Sequence, residues 1–155
     1  MTLTLPSIVN SNYAGTSADF KNTKVDRSGA MRREYFSVTI PSGTGTGTYV
    51  GLVPFSKGAK LSIPAAYIGN VGDGSFTFDL GILYYDSTLG TSDDDAFASA
   101  LTTGQAGGII TLDEHAWMDV TTEADGWIVL KTGGTATDAS GVVKGHVHIS
   151  YDNAG

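Results

Sequence analysis

Two histidines, His146 and His148, are separated by a single residue near the end of this 155-residue chain. In a β-strand this spacing places both imidazoles on one face, where they could act as a pair of metal ligands. The spacing does not specify a third ligand, which His115 or a carboxylate could supply. Lys144 would repel a cation at that position, and together with Ser150 it is typical of a solvated polar face. We therefore expect no metal site and no cofactor.

Two acidic runs could take part in cation binding or acid–base chemistry. The three aspartates at 93–95 lack the alternating spacing and the closing Glu of an EF-hand loop. We expect them in the first turn of a short helix, where carboxylates complement the positive end of the helix dipole. The Asp-Glu-His run at 113–115 offers acid–base groups, but no Gly-x-Ser-x-Gly or other nucleophile motif accompanies it. The sequence therefore predicts no enzymatic activity.

Four aromatic side chains could stack on sugar rings, namely Tyr84, Tyr85, Trp117 and Trp127. Tyr and Trp are also frequent in protein cores and at interfaces, because their rings bury a large apolar area. A carbohydrate-binding surface therefore stays open as an alternative to a purely structural role.

Length and composition favour one β-rich domain. The 155 residues suffice for a substantial core, and the 21 glycines are typical of strands joined by tight turns. The lack of cysteine excludes disulfides and thiolate metal sites. No apolar run approaches the ~20 residues of a membrane-spanning helix, and residues 1–6 lack the basic start of a signal peptide. We expect synthesis in a cytoplasm, use outside the secretory route and no membrane partner.

The net charge of −7 is unevenly distributed along the chain. Five basic and two acidic residues give residues 1–33 a charge of +3, whereas four basic and 14 acidic residues give the remainder −10. An acidic body argues against nucleic acid as a partner, because nucleic-acid binding requires a basic face.

Residues 1–33 show no sustained period of 2 or 3.6, and their apolar residues are scattered singly. We predict that they form an extended N-terminal arm that contacts a partner, and that residues 34–155 form one domain. Basic residues of the arm would bind carboxylates and apolar ones would anchor it. The candidate contact residues are Lys21, Lys24, Arg27, Arg32, Arg33, Leu3, Leu5, Ile8 and Phe20.

The domain is organised around the stretch 76–86. Apolar residues occupy every second position along it, and in its C-terminal half they also occupy the positions between. This pattern predicts a central β-strand with a doubly covered C-terminal half. A short helix is expected within 87–101, with Thr91 or Ser92 as its N-cap, since Phe97 and Leu101 lie four residues apart. The stretches 126–132 and 141–151 are predicted to pair as an antiparallel hairpin. The expected core residues are Phe36, Val38, Phe76, Phe78, Leu80, Ile82, Phe97, Leu101, Ile128, Val147 and Ile149.

About eight short strands at turn spacing indicate an all-β fold, a β-sandwich or jelly roll with one short helix and an extended N-terminal arm. Pro64 interrupts the strand pattern of 59–68, which predicts a bulge, an edge strand or two short strands there.

Three segments carry a resemblance to a known family. They are Val-Pro-Phe-Ser-Lys-Gly-Ala-Lys-Leu at 53–61, Phe-Asp-Leu-Gly-Ile-Leu-Tyr-Tyr-Asp at 78–86, and Trp-Ile-Val-Leu at 127–130 with the closing 141–151 strand. Together they resemble the capsid decoration (cement) proteins of tailed bacteriophages over residues 34–151.

The resemblance implies a non-enzymatic structural protein of the virion, located on the outer surface of the capsid. It implies a subunit, often a homotrimer, that binds the major capsid protein and stabilises contacts between capsid subunits. The partners expected for the arm are then a neighbouring subunit or the capsid. The alternative is a phage tail or fibre module that binds host carbohydrate through exposed aromatic residues.

Overall fold

The computed structural model describes residues 32–72, 74–112 and 121–151. Residues 1–31, which hold most of the predicted arm contacts, lie outside the described residues. These contacts are Lys21, Lys24, Arg27, Leu3, Leu5, Ile8 and Phe20. The Asp-Glu-His run at 113–115 and Trp117 also lie outside the described residues. No helix within the described ranges has the length and apolar character required to cross a bilayer.

The described chain folds into two antiparallel four-stranded sheets that face each other. Sheet I has the strand order β1-β8-β3-β6 and sheet II the order β2-β7-β4-β5. One 3₁₀ turn, Thr103–Gln105, precedes β6. The strands are β1 (Arg32–Ile40), β2 (Tyr49–Phe55), β3 (Ala59–Ile68), β4 (Thr77–Tyr84), β5 (Asp93–Leu101), β6 (Gly108–Ile109), β7 (Gly126–Gly133) and β8 (Gly141–Tyr151). The prediction of an all-β sandwich is confirmed.

The core lies between the inner faces of the two sheets. β4 is an inner strand of sheet II, paired with β7 on one side and β5 on the other, as predicted for the 76–86 stretch. Its C-terminal half is buried on both faces. Every predicted core residue is buried except Leu101, which is partly buried at the edge of the same cluster.

The segment predicted as a helix is instead strand β5, so this prediction is wrong. The pairing of β5 with β4 is irregular: Leu80 lies opposite Ala98, whereas Ile82 lies opposite Asp93. A step of two residues along β4 therefore corresponds to a step of five along β5, and the surplus residues form a bulge over the outer face of the sheet. A helix of this length is marginal by itself, and pairing also satisfies the backbone N–H and C=O groups along the edge of β4.

The predicted hairpin of 126–132 with 141–151 is also wrong. β7 pairs with β2 and β4 in sheet II, and β8 pairs with β1 and β3 in sheet I. The seven residues between them cross the sandwich, whose sheets pack about 10 Å apart. The alternation of apolar residues predicts which face of each strand is buried. The buried faces of β7 and β8 point into the same core, so the pattern does not predict which sheet each strand joins.

The structure gives the interrupted β3 strand a single form. Its pairing with β8 shifts between Ser62 and Ala65, around Pro64. A proline lacks the N–H needed for regular pairing, and a bulge accommodates it. Among the three forms that the sequence left open, the bulge is the one observed.

Candidate functional site

The outer face of sheet I carries the most distinctive group of exposed side chains among the described residues. They alternate with the buried residues of β1, β3 and β8, so the strand period alone brings them to one side. Tyr35 is 65% exposed and Tyr67 is 40% exposed. We call this group the basic face; it comprises Arg33, Tyr35, Lys60, Tyr67, Lys144, His146 and His148.

Side chains of the basic face form a row across β1 and β8. The Arg33 Nε donates to His148 Nε2 at 3.3 Å, and an Arg33 Nη lies 3.4 Å from the Tyr35 hydroxyl. The rings of Tyr35 and His146 are 5.7 Å apart, and those of His146 and His148 are 5.5 Å apart. These contacts orient four polar side chains on an otherwise open sheet.

A cation–aromatic pair extends this row toward β3. The Lys144 ammonium lies 5.3 Å from the centre of the Tyr67 ring, directly across the β8–β3 ladder. Such a contact at an exposed site contributes about 0.5–1 kcal/mol. It holds the lysine over the sheet, where its charge adds to that of Arg33.

The basic face contains no carboxylate among the described residues of its sheet. Glu34 is the acidic residue in the described part of β1, β3, β6 and β8, and its side chain is buried on the opposite, inner side of β1. The described strands of sheet I therefore place no carboxylate on its outer surface beside Arg33 and Lys144.

The opposite side of the sandwich is acidic. The bulge of β5 passes over the outer face of sheet II, and its backbone at 93–94 rests against Gly81, where an added Cβ would overlap it. Tyr49 donates its hydroxyl to Asp94 Oδ2 at 2.7 Å, and the Lys131 ammonium contacts the same oxygen at 2.7 Å. We call the four aspartates of this surface, Asp79, Asp93, Asp94 and Asp95, the acidic side.

The pKa values on the acidic side follow from these contacts. Burial acts to raise the pKa of Asp94, but hydrogen bonds from Lys131 and Tyr49 outweigh it and lower the pKa. The hydrogen bond to Asp94 raises the pKa of Lys131. The hydrogen bond with Asp93 raises the pKa of the exposed Asp95, because two neighbouring carboxylates disfavour double ionisation. Asp94 is thus neutralised within the chain, whereas Asp95 shares a hydrogen bond with Asp93 that favours a proton on Asp95.

A second apolar cluster lies beneath this surface on the outer face of sheet II. It consists of Leu83, Trp127 and Val129, with Tyr49 and Tyr85 packed against it. Trp127 is only 2% exposed, since its ring lies across Gly51. It is therefore unable to stack on a sugar, and the apolar outer face of β4 at Leu83 is covered by the chain itself.

A cleft of about 280 Å³ opens at one end of sheet II. Its lining combines an aromatic ring with charged groups, and Lys57 N donates to Asp125 Oδ1 at 2.8 Å. Burial raises the pKa of Tyr85 to about 12, although a hydrogen bond with Trp127 acts in the opposite direction. The lining residues are Lys57, Tyr85, Asp86, Leu89, Glu123, Ala124 and Asp125.

The structure places the sequence-predicted candidates in different surroundings. His146 and His148 share the outer face of β8 as predicted, and no group of three potential metal ligands occurs within the described ranges. Arg33 belongs to the basic face, and Arg32 opens β1. Tyr84 is buried.

Sequence analysis missed Tyr35 and Tyr67 as surface residues. The signal for Tyr35 was present, since the alternation that buries Phe36 and Val38 turns Tyr35 outward. Tyr67 follows the bulge at Pro64. The side of the sheet on which it lies depends on how many residues the bulge contains, so counting alternate positions along the sequence does not predict it.

Comparisons with known proteins concern the fold. No protein-family profile matches the sequence, and no curated protein is a detectable relative. A chain of the cyanophage Pam1 capsid asymmetric unit is 18% identical with a TM-score of 0.57, covering 81% of this chain and 86% of that one. A chain of the Ralstonia phage GP4 capsid is 18% identical with a TM-score of 0.60, covering 84% and 89%. The fold is similar to one that occurs in phage capsids.

Proposed function

We propose that this protein is a non-enzymatic structural component of a phage virion that binds the outer face of the capsid and stabilises contacts between capsid subunits. The observation that carries the proposal is the fold shared with chains of two phage capsid structures, over more than four fifths of this chain. The major capsid protein is the proposed partner.

The connectivity supports a shell-associated role. Among the eight strands that the structure describes, the link from β4 to β5 joins two strands of one sheet, and the other six links between consecutive strands cross the sandwich. This alternation is the connectivity expected of an eight-stranded jelly roll, an architecture used by viral capsid and lectin domains. The outer faces of the two sheets lie on opposite sides of the core.

The experiment uses capsid shells of the phage that encodes this chain, prepared without the protein. Purified protein is added at increasing concentration, and the shells are recovered by gradient sedimentation. We expect the bound amount to saturate at a fixed ratio to the major capsid protein and the shells to withstand a higher temperature. Recovery with isolated tails instead of shells, or binding without saturation, would overturn the proposal.

The predicted arm, residues 1–33, is proposed as a docking element for the capsid or a neighbouring subunit. Its charge of +3 against −10 in the remainder supports electrostatic attraction to acidic surfaces. A deletion of residues 2–31 leaves β1 complete, so the sandwich is expected to stay folded. Loss of shell binding in this variant supports the proposal, and binding with unchanged affinity and salt dependence contradicts it.

A homotrimer is the proposed oligomeric state, as the resemblance to capsid decoration proteins implies. Apolar residues on both faces of a strand can indicate an oligomer interface, but Leu83 on the outer face of β4 packs in a cluster of its own chain and adds no support. Analytical ultracentrifugation over a range of concentrations tests it. A monomer mass at high micromolar concentration would contradict the trimer.

A second candidate function is carbohydrate binding by a tail or fibre module. The cleft around Tyr85 favours it, because an aromatic ring beside Asp86, Glu123 and Asp125 can stack on a sugar and accept hydrogen bonds from its hydroxyls. Screening against immobilised glycans tests this function. Selective binding that Tyr85→Ala abolishes, together with absent shell binding, would favour it over the capsid role.

A further inference from the structure

We infer that the cleft at the end of sheet II is the docking site for the basic segment 21–27 of the chain's own arm. Segment 21–27 lies outside the described residues, and the cleft is lined entirely by described ones. The inference goes beyond the proposed function, because it concerns the free subunit before any contact with a capsid.

The arm leaves the sandwich at the same end at which the cleft opens. Arg32, the first described residue, lies opposite Ile149 on β8, and Ile149 lies opposite Leu61 on β3. Lys57, on the rim of the cleft, precedes Leu61 by four residues. Two strand spacings and these four residues separate Arg32 from the rim by roughly 15–25 Å. The stretch of chain from Lys24 to Arg32 spans up to about 27 Å, so the arm can reach the cleft of its own chain.

Hydrogen bonds within the chain hold the walls of the cleft in place. Asp125 Oδ1 accepts from the Lys57 backbone N–H at 2.8 Å, and the Asp125 carbonyl accepts from the Tyr85 backbone N–H at 3.0 Å. Asp86 Oδ1 accepts from the hydroxyl and the backbone N–H of Thr88 at 2.6 and 2.8 Å. These two bonds, the hydroxyl first, lower the pKa of Asp86, so its carboxylate stays charged. A cleft that is already formed orders fewer groups when it binds a ligand.

The lining of the cleft fits a long basic side chain. The half-buried Tyr85 ring and Leu89, which is 63% exposed, offer apolar surface to the aliphatic stem of a lysine or arginine. The Tyr85 ring is also a favourable contact for the cation itself. Three carboxylates, on Asp86, Glu123 and Asp125, supply acceptors for charge-assisted hydrogen bonds. No three potential metal ligands converge within the described residues, and an extended side chain does not require such convergence.

The charges of the cleft and of segment 21–27 are complementary. The cleft lining has three acidic residues and one basic residue, which give it a net charge of −2. Segment 21–27 has three basic residues and one acidic residue, which give it +2. Tyr85 also packs against the apolar cluster beneath the acidic side, so further carboxylates lie on the same outer face. Electrostatic attraction therefore directs this segment of the arm to the cleft.

The chain's own arm is favoured over the arm of a second copy. A short covalent connection between a ligand and its site gives an effective concentration in the millimolar range, which a separate molecule reaches only in concentrated solution. Docking within one chain also has a consequence for assembly. An acidic surface of the capsid must displace the basic segment from the cleft before the arm can bind there.

The test is disulfide cross-linking in the full chain, which contains no cysteine. Thr23→Cys places one thiol in segment 21–27, and Leu89→Cys places the second on the rim of the cleft. The control combines Thr23→Cys with Ile109→Cys, at a site that is 76% exposed on the outer face of sheet I. Ile109 lies three strands from β1 and roughly 20–25 Å from Arg32, so both positions are at comparable distances from the start of the arm.

Under mild oxidation we expect the Leu89→Cys pair to form a disulfide within one chain about tenfold or more faster than the Ile109→Cys pair. Rates are normalised to the reaction of each thiol with a small neutral disulfide, which corrects for local thiol reactivity. Non-reducing gels separate the product within one chain from covalent dimers. Thermal unfolding verifies that all variants are folded.

A charge arm of the experiment tests the electrostatic contribution. Glu123→Lys reverses a charge in the lining and should slow the Leu89→Cys reaction about fivefold or more. Asp138→Lys is the matched control, since Asp138 is exposed in the turn between β7 and β8, at the opposite end of the sandwich. It should change the rate by less than about twofold. Salt at about 1 M should reduce the advantage of the Leu89→Cys pair, because it screens exposed charges.

Several results would overturn the inference. Equal normalised rates for the two cysteine pairs, or a rate that Glu123→Lys leaves unchanged, would show that the basic segment does not dock in the cleft. Covalent dimers as the main product would identify a second copy as the occupant. Selective glycan binding with equal cross-linking rates would assign the cleft to the second candidate function. Saturable shell binding with equal rates would preserve the proposed function and reject only this docking site.

Discussion

The ammonium of Lys131 and the carboxylate of Asp94 lie 2.7 Å apart and join an inner strand of sheet II to the bulge of its edge strand. Tyr49 from β2 donates to the same carboxylate oxygen. Three strands of sheet II thus converge on one aspartate above the apolar cluster of Leu83, Trp127 and Val129. The contact fixes the bulge of β5 over that cluster.

Asp94→Asn is expected to reduce the free energy of unfolding by about 0.5–1 kcal/mol, because the pair is partly exposed and solvent screens it. Urea titrations of Asp94→Asn, Lys131→Met and the double variant form a cycle that isolates the interaction between the two residues. Additive effects of the two substitutions would show that the ion pair contributes nothing to stability.

The same pair predicts a loss of stability in acid. The pKa of Asp94 in the folded chain is below its ordinary value of 3.8, so the unfolded chain binds the proton more readily. The stabilising contribution is therefore complete above about pH 5 and is lost as the pH falls through the folded-state pKa. Asp95, whose pKa is raised, acts in the opposite sense. As the pH falls from about 7 to about 3, the unfolding free energy should decrease less steeply in Asp94→Asn than in the unmodified protein; equal slopes contradict the assignment.

Leu80→Ala is expected to lower the free energy of unfolding by about 2–5 kcal/mol through lost burial and a residual cavity. Leu80 is fully buried between β7 and β5 at the centre of β4. Leu89→Ala is the matched control, because Leu89 is 63% exposed, and its effect should stay within about 0.5 kcal/mol. A cost below about 1 kcal/mol at Leu80 would be incompatible with its central position.

Gly81→Ala tests the packing of the β5 bulge against β4. An added methyl group would overlap the backbone of Asp93 and Asp94, which cannot rotate away as a side chain can. We expect a destabilisation of about 1–3 kcal/mol from overpacking. Gly45→Ala is the control, since its Cβ meets nothing within 4 Å. Equal thermal stability of the two variants would show that this segment does not lie on Gly81.

The sequence by itself determined which residues are buried and which strand is central. The alternation of Phe78, Leu80 and Ile82 marks an inward face wherever the strand is placed, because a period of two is a property of the strand alone. The same argument gives the outward face of β8, with His146 and His148, and the outward turn of Tyr35. Burial on both faces near Leu83 was also evident from consecutive apolar residues.

Tertiary structure alone decided the partners of those strands. The apolar residues at 93–101 have helical spacing, yet this segment forms a bulged strand that pairs with the edge of β4. Hydrogen bonds to the neighbouring strand outweigh the marginal stability of a short helix. β7 and β8 enter different sheets because both of their apolar faces fit the same core. Because β8 lies in sheet I and β5 lies in sheet II, the basic face and the acidic side are on opposite sides of the sandwich. The period of two along a strand predicts the direction of each side chain. The neighbours of a strand depend on long-range pairing, which no local sequence pattern specifies.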